Sequence, residues 1–283
     1  MARGSPRDAA QLLGPAGRLA GDLAGVALGA VLAAAAAARR GKAVHPAGAV
    51  HRAELIVPGI PGAPPGSTLL STPARHTAIV RFSRSVGMPR PLPDLLGMSI
   101  RVLDCYGPGN DQDLLLVSSA DHPLGHFIFL PARDVWQRPY TSSLPYRAGS
   151  DSFLLGALAD PASPRPDGAD ELDRLDKAAA TGELRFRIAV AAPTGRFRPV
   201  ATLWVGPRLA PDADALRFNP WITGGGLEPG GWLNRTRRAA YPMSQAAWRT
   251  TRRGGGRAQH EAERAVARLR GASEPGAAAL GAR

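Results

Sequence analysis

Apolar and polar positions alternate most cleanly in Leu184-Arg185-Phe186-Arg187-Ile188-Ala189-Val190, which reads as a half-buried strand, and Val200 to Gly206 gives another. The apolar run in His76-Thr77-Ala78-Ile79-Val80-Arg81-Phe82-Ser83 fits a strand that sends Arg81 and Ser83 to one face. Two more strands are predicted, over 94–103 and 113–119, on either side of a Gly-Pro-Gly turn at 107–109. A mixed stretch from Gly41 leads into a further strand-like run ending near Leu55. Strands at this spacing, joined by turns, predict an antiparallel barrel or sandwich. Elsewhere the pattern predicts a helix starting at Pro131-Ala132-Arg133-Asp134, a polar loop over 161–170, an irregular segment over 217–231 and an amphipathic helix near 261–269.

Composition supports many turns. With 33 Gly and 27 Pro in 283 residues and an ordinary 44% hydrophobic content, short strands are favoured over long helices. Residues 19–38 are alanine-rich, interrupted by Asp22 and bounded by Arg18 and Arg39-Arg40. That run is too weakly apolar for a membrane span, so no stable membrane insertion is expected. It reads as a helix of a cytoplasmic protein, with an export signal as the alternative. The chain divides into an N-terminal helical segment (1–41), a barrel core (42–253) and a C-terminal helix with a flexible tail (254–283).

The net charge of +12 comes almost wholly from arginine, since Lys42 and Lys177 are the only lysines. Such a balance suits anionic partners in general, such as nucleic acid, acidic lipid or the propionates of a porphyrin, and does not choose among them. No aromatic residues interleave with the arginines as single-strand binders require, so nucleic acid is not an expected partner. Cys105 is the only cysteine, which excludes an intramolecular disulfide and a zinc–cysteine cluster.

The candidate chemistry lies near the C-terminus, in Arg237-Arg238-Ala239-Ala240-Tyr241. On a helix, Arg237 and Tyr241 share one face a turn apart. A phenol titrates near pH 10, so it ligates ferric iron as phenolate when a nearby cation stabilises the anion. By itself such a pair is usually a half-buried ring with a solvated neighbour. His45, followed by Pro46 and Gly48, sits at a bend where backbone can approach a flat ligand. Alone, it is more often a surface or capping residue.

The order of the pieces resembles the core of the haem catalase family: His45 to Gly48, Arg81-Phe82-Ser83, Asp94 with Gly97, and Arg237 with Tyr241. The approach to the last element matches too, through Trp204-Val205-Gly206, Leu216-Arg217-Phe218-Asn219-Pro220 and Gly226-Leu227-Glu228-Pro229. The resemblance implies an α+β fold built on an antiparallel eight-stranded β-barrel with flanking helices, and haem b as cofactor. It implies Tyr241 as axial iron ligand, with Arg237 holding it ionised. His45 would be the distal acid and base that moves a peroxide proton, and Ser83 would fix its imidazole. Arg81 would pair with a propionate, and Arg249 and Phe129 complete the implied cofactor-binding set.

The chain departs from that pattern at several positions. Val117-Ser118-Ser119 stands where the family has a distal asparagine, Lys42 and Leu96 replace arginines, and Trp248 takes the place of an arginine now next to it as Arg249. The implied function is catalase-like or peroxidase-like action on hydrogen peroxide or organic hydroperoxides. The alternatives are haem-dependent hydroperoxide rearrangement and a non-enzymatic haem- or ligand-binding barrel. A homo-oligomer is compatible with either.

Overall fold

Eleven-residue strands open the architecture: β1 (Ala47–Val57) pairs antiparallel with β2 (Ala74–Arg84) along its whole length, from Ala47 opposite Arg84 to Val57 opposite Ala74. The computed structural model describes residues 47–272 except 90, 123–124 and 231–254. β3 (Leu96–Val102), β4 (Gln112–Ser118), β5 (Tyr140–Thr141), β6 (Tyr146–Ala148), β7 (Asp151–Ala159), β8 (Arg185–Ala191), β9 (Arg198–Arg208) and β10 (Glu228–Pro229) follow. β1, β2, β3, β4, β5, β7, β8 and β9 pair antiparallel in that order, and β9 returns to β1. The result is a closed eight-stranded antiparallel barrel, which leaves no free edge in the ring. β6 and β10 form a short ribbon beside β7.

The helices are α1 (Thr68–Ser71), α2 (Glu171–Ala180) and α3 (Gly255–Ala272) among the described residues. None of them is long and apolar enough to cross a membrane.

Period-two alternation sorts side chains between two environments. Ala78, Val80 and Phe82 of β2, Met98, Ile100 and Val102 of β3, and Phe186, Ile188 and Val190 of β8 fill the interior. Phe82 and Phe186 meet there with ring centres 5.4 Å apart. Val50 and Ile79 face outward into a second apolar cluster with Ala213 and Leu216 and with Ala262 and Val266 of α3. α3 therefore packs on the outer face of β1 and β2.

One end of the barrel, where β1 begins and β2 ends, is closed by a buried polar layer. Arg84 donates to Glu171 at the start of α2 (2.8 Å) and to the carbonyls of Met88 and Leu92 (3.1 and 2.9 Å). Asp94 accepts the backbone N–H groups of Val86, Gly87 and Met88 at 2.7–2.9 Å, fixing the β2–β3 connection. α2 starts at an N-cap, Asp170, whose carboxylate accepts from Leu172 and Asp173, and it buries Leu175, Ala178 and Ala179.

Several expectations require adjustment. Residues 131–138 form turns rather than a helix, and Ala132 makes an isolated bridge with Asp94. The barrel strand β7 and helix α2 have no counterpart in the sequence reading. β7 is apolar on consecutive residues, Phe153 to Leu155, because both of its faces are buried, so it shows no alternation. α3 starts at Gly255, six residues before the predicted helix, and runs to Ala272. The predicted helix at 19–38 and the segment with Arg237, Tyr241 and Arg249 lie outside the described residues, as does His45.

Candidate functional site

The outward positions of β1 to β4 form a wall whose strand register can be written as rows. One row crosses Gly48, Ser83, Gly97 and Val117; the next crosses Val50, Arg81, Ser99 and Leu115. The row beyond holds Ile79, Arg101 and Asp113. Gly48, Ser83, Gly97 and Ser99 therefore make a patch of the wall in which no side chain is larger than a hydroxymethyl. Arg81 adjoins the patch with its guanidinium lying against Gly48, and Leu115 and Val117, both half-buried, border it on the other side.

Gly48 is required there. A Cβ at this position would strike the carbonyl oxygen of Phe82 and come within 3.0 Å of both the Arg81 guanidinium and the Ser83 Cβ. The glycine thus lets β1 approach the two β2 side chains that the sequence singled out. Arg81 and Ser83 do share one face of β2, and both are buried. Burial pulls the Arg81 guanidinium below its ordinary range, against the opposing pull of Asp214. Asp214 belongs to a short 3-10 turn (Pro211–Ala215), accepts from the Val50 N–H and pairs with Arg208 at 2.9 Å. The Ser83 hydroxyl lies 3.5 Å from the Gly97 carbonyl.

Two residues that sequence reasoning missed organise the wall's other side. Arg101 and Asp113 face each other on β3 and β4 and join through two hydrogen bonds of 2.6 and 2.7 Å. Arg101 also donates to the Arg217 carbonyl at 2.8 Å, and Asp113 accepts the Asn219 N–H at 2.7 Å. Phe218 lies between these contacts, its ring 5.3 Å from the Arg101 guanidinium carbon. Burial opposes the Arg101 charge, but the hydrogen-bonded Asp113 carboxylate more than offsets it and raises the arginine above its ordinary range. Gln112 extends the attachment, donating to the carbonyls of Ile222 and Leu227 and accepting the Leu227 N–H at 3.0 Å. The irregular segment over 217–230 is thereby tied to the barrel. A signal existed: a hairpin centred on Gly107 places residues 101 and 113 opposite each other.

The position of the missing asparagine also acquires a structure. Val117 faces outward on the wall. Ser118 is buried, accepts the Leu96 N–H at 3.0 Å and donates to the Leu130 carbonyl at 2.7 Å. The Ser119 hydroxyl is buried and has no hydrogen-bond partner among the described residues. Phe129 follows the 3-10 turn Gly125–Phe127 and is 47% exposed. Arg81, Ser83 and Phe129 are thus placed, with the first two together on the wall. Among the described residues no cluster of three or more His, Cys, Asp and Glu side chains is arranged to hold a metal ion.

No protein-family model matches the chain, and no curated protein matches it significantly in sequence. Solved structures do. A fungal catalase superimposes with a TM-score of 0.50 at 13% identity, over 71% of this chain and 58% of that one. A bacterial catalase gives 0.48 at 11% identity, over 71% and 56%. The fold is therefore catalase-like. The chain spans a little over half the length of either catalase.

Proposed function

We propose that the outer wall of β1 to β4 takes a haem and that the chain acts on hydrogen peroxide or an organic hydroperoxide. The observation that carries this reading is the floor of Gly48, Ser83, Gly97 and Ser99 between a buried guanidinium and two half-buried aliphatic side chains. A flat, largely apolar ring system with anionic arms needs a shallow floor without projecting side chains, apolar contact and a cation, and these residues fit that need. Arg81 would hold a propionate, with its planar fork matching a carboxylate. Tyr241 would be the axial ligand, and Arg237 would keep its phenol ionised by favouring the anion electrostatically.

When bound, the haem iron supplies the redox partner for the peroxide. The chain's own part is proton handling and exclusion. His45 would take the proton from one peroxide oxygen and return it to the other, as a positioned acid and base. Ser83 would orient that imidazole. Val117 stands on the wall without the amide that would help orient a small peroxide, and with Leu115 it offers apolar contact instead. This favours rearrangement of an organic hydroperoxide as the second reading.

The test is a pyridine-haemochrome assay on protein expressed with adequate haem supply. The expected result is about one haem per chain, with Tyr241→Phe binding haem weakly or with an altered axial ligand. Colourless protein that also fails to bind added hemin overturns the proposal.

A further inference from the structure

Two connections of the barrel hold large hydrophobic side chains out into solvent. The β2–β3 connection exposes Val86, Met88 and Leu92, and the β4–β5 connection exposes Phe127, Ile128 and Phe129. Ile128 is 56% exposed, and the rings on either side of it are 46% and 47% exposed. Among the described residues the other large hydrophobic side chain exposed in this way is Ile60, in the β1–β2 connection at the opposite end of the barrel.

The two connections are joined to each other and fixed from behind. Asp94 and Ala132 exchange backbone hydrogen bonds of 3.0 and 2.9 Å, and the Ser118 hydroxyl links the Leu96 N–H to the Leu130 carbonyl. Arg84 holds the Met88 and Leu92 carbonyls, Asp94 holds the Val86 and Met88 N–H groups, and buried His126 donates to the Gly195 carbonyl at 2.7 Å. The apolar side chains are therefore presented by a hydrogen-bonded backing. Clustered exposure of this kind marks an interaction surface.

Charge decides what covers it. Residues 86–93 contain Arg90 and no carboxylate, and residues 125–133 contain Arg133, which is exposed, and again no carboxylate. The flanking carboxylates, Asp94 and Asp134, accept backbone N–H groups. A second copy docked about a two-fold axis would set this surface on itself, arginine against arginine, with no acid to pair them. An anionic lipid surface supplies a hydrocarbon boundary for the apolar tips and negative headgroups for the arginines. We propose that these two connections seat the protein on an anionic membrane surface, with Ile128 and its flanking phenylalanines entering the headgroup boundary. The attachment is peripheral, and the protein lies on the bilayer without spanning it.

The test is cosedimentation of the full chain with vesicles of phosphatidylcholine alone or mixed with phosphatidylglycerol. Saturable binding is expected on the mixed vesicles and weaker binding on the neutral ones. Phe127→Ser/Ile128→Ser and Met88→Ser/Leu92→Ser keep the net charge and should each weaken binding to mixed vesicles by about 10-fold or more. Arg133→Gln should weaken it by about 5-fold on the mixed vesicles and leave binding to neutral ones unchanged. Ile60→Ser, at the other end of the barrel, should leave binding unchanged and so controls for loss of any exposed apolar group. Ile128→Trp should gain fluorescence quenching by lipids brominated on their acyl chains, relative to the parent.

Failure to sediment with the mixed vesicles would overturn the proposal. So would unchanged binding of the serine variants, an equal loss in Ile60→Ser, or no added quenching in Ile128→Trp. Self-association of the parent without lipid that Phe127→Ser/Ile128→Ser removes would overturn it too, and would give the surface to a second copy. Because the substituted side chains are exposed, melting temperatures should match the parent, and the quenching of Ile128→Trp tests the contact without deleting an apolar group. The variants leave Phe129 and the floor of the wall in place and haem content is read separately, so failure here leaves the haem proposal intact.

Discussion

Arg101 and Asp113 face one another across β3 and β4 and are joined by two hydrogen bonds, with Asp113 fully buried. Their remaining valences hold the Arg217 carbonyl and the Asn219 N–H. The pair is a clamp that fastens the segment over 217–230 to the wall. The proposed axial ligand, Tyr241, follows that segment in the chain.

Removing one partner leaves a buried charge without compensation, which costs about 3–5 kcal/mol. Asp113→Asn and Arg101→Met should each lower the free energy of unfolding by an amount in that range. The double variant Arg101→Met/Asp113→Leu should recover a large part of the loss, because two apolar groups replace two charges. Chemical denaturation of the three variants checks this. Single variants as stable as the parent would show that the clamp carries no weight.

His51 predicts acid sensitivity. Its ring is fully buried, with Nδ1 3.2 Å from the Gly206 carbonyl and Nε2 3.2 Å from the Asp176 carboxylate. Burial lowers its pKa, the Gly206 carbonyl and Asp176 oppose that shift, Arg208 adds to it and Asp214 opposes it. With the folded value below the unfolded one, the unfolded chain binds the proton more readily. The stability tied to neutral His51 is therefore fully present above about pH 6.5 and is lost as pH falls through the folded value. His76, also lowered by burial, adds a slope of the same sign. In melting curves taken across that window, His51→Gln should be less pH-dependent than the parent while His76 retains its share. Identical pH dependence in parent and variant would remove His51 as the cause.

Most of the barrel was legible as short apolar runs bounded by turns. β8 was read from its alternation, β2, β3, β4 and β9 from apolar runs of strand length, and the family resemblance supplied the closure and strand number. β7 was not legible, since a strand buried on both faces has no period to read. α2 was missed although Asp170 and the acidic residues after it form an N-terminal signal, because the preceding proline-rich stretch dominates the local composition. On the wall, the period of two put Arg81 and Ser83 on one face of their strand, and the family resemblance singled them out as site residues. Arg101 and Asp113 were not, because their importance arises from cross-strand register and from contacts more than 100 residues away along the chain. Phe129 came from the resemblance alone, and it lies in an exposed run with Phe127 and Ile128.

The central claim is that a haem lies on the floor formed by Gly48, Ser83, Gly97 and Ser99, and a hemin titration followed at the Soret band tests it most directly. Ser99 is half-exposed, so Ser99→Trp can fill the floor from outside while leaving the barrel interior untouched. The parent should bind hemin saturably at about one per chain, and Ser99→Trp should keep the parent's melting temperature while losing at least about 10-fold in hemin affinity. A variant that folds and binds hemin as tightly as the parent, or a parent that never develops a Soret band, would contradict the account.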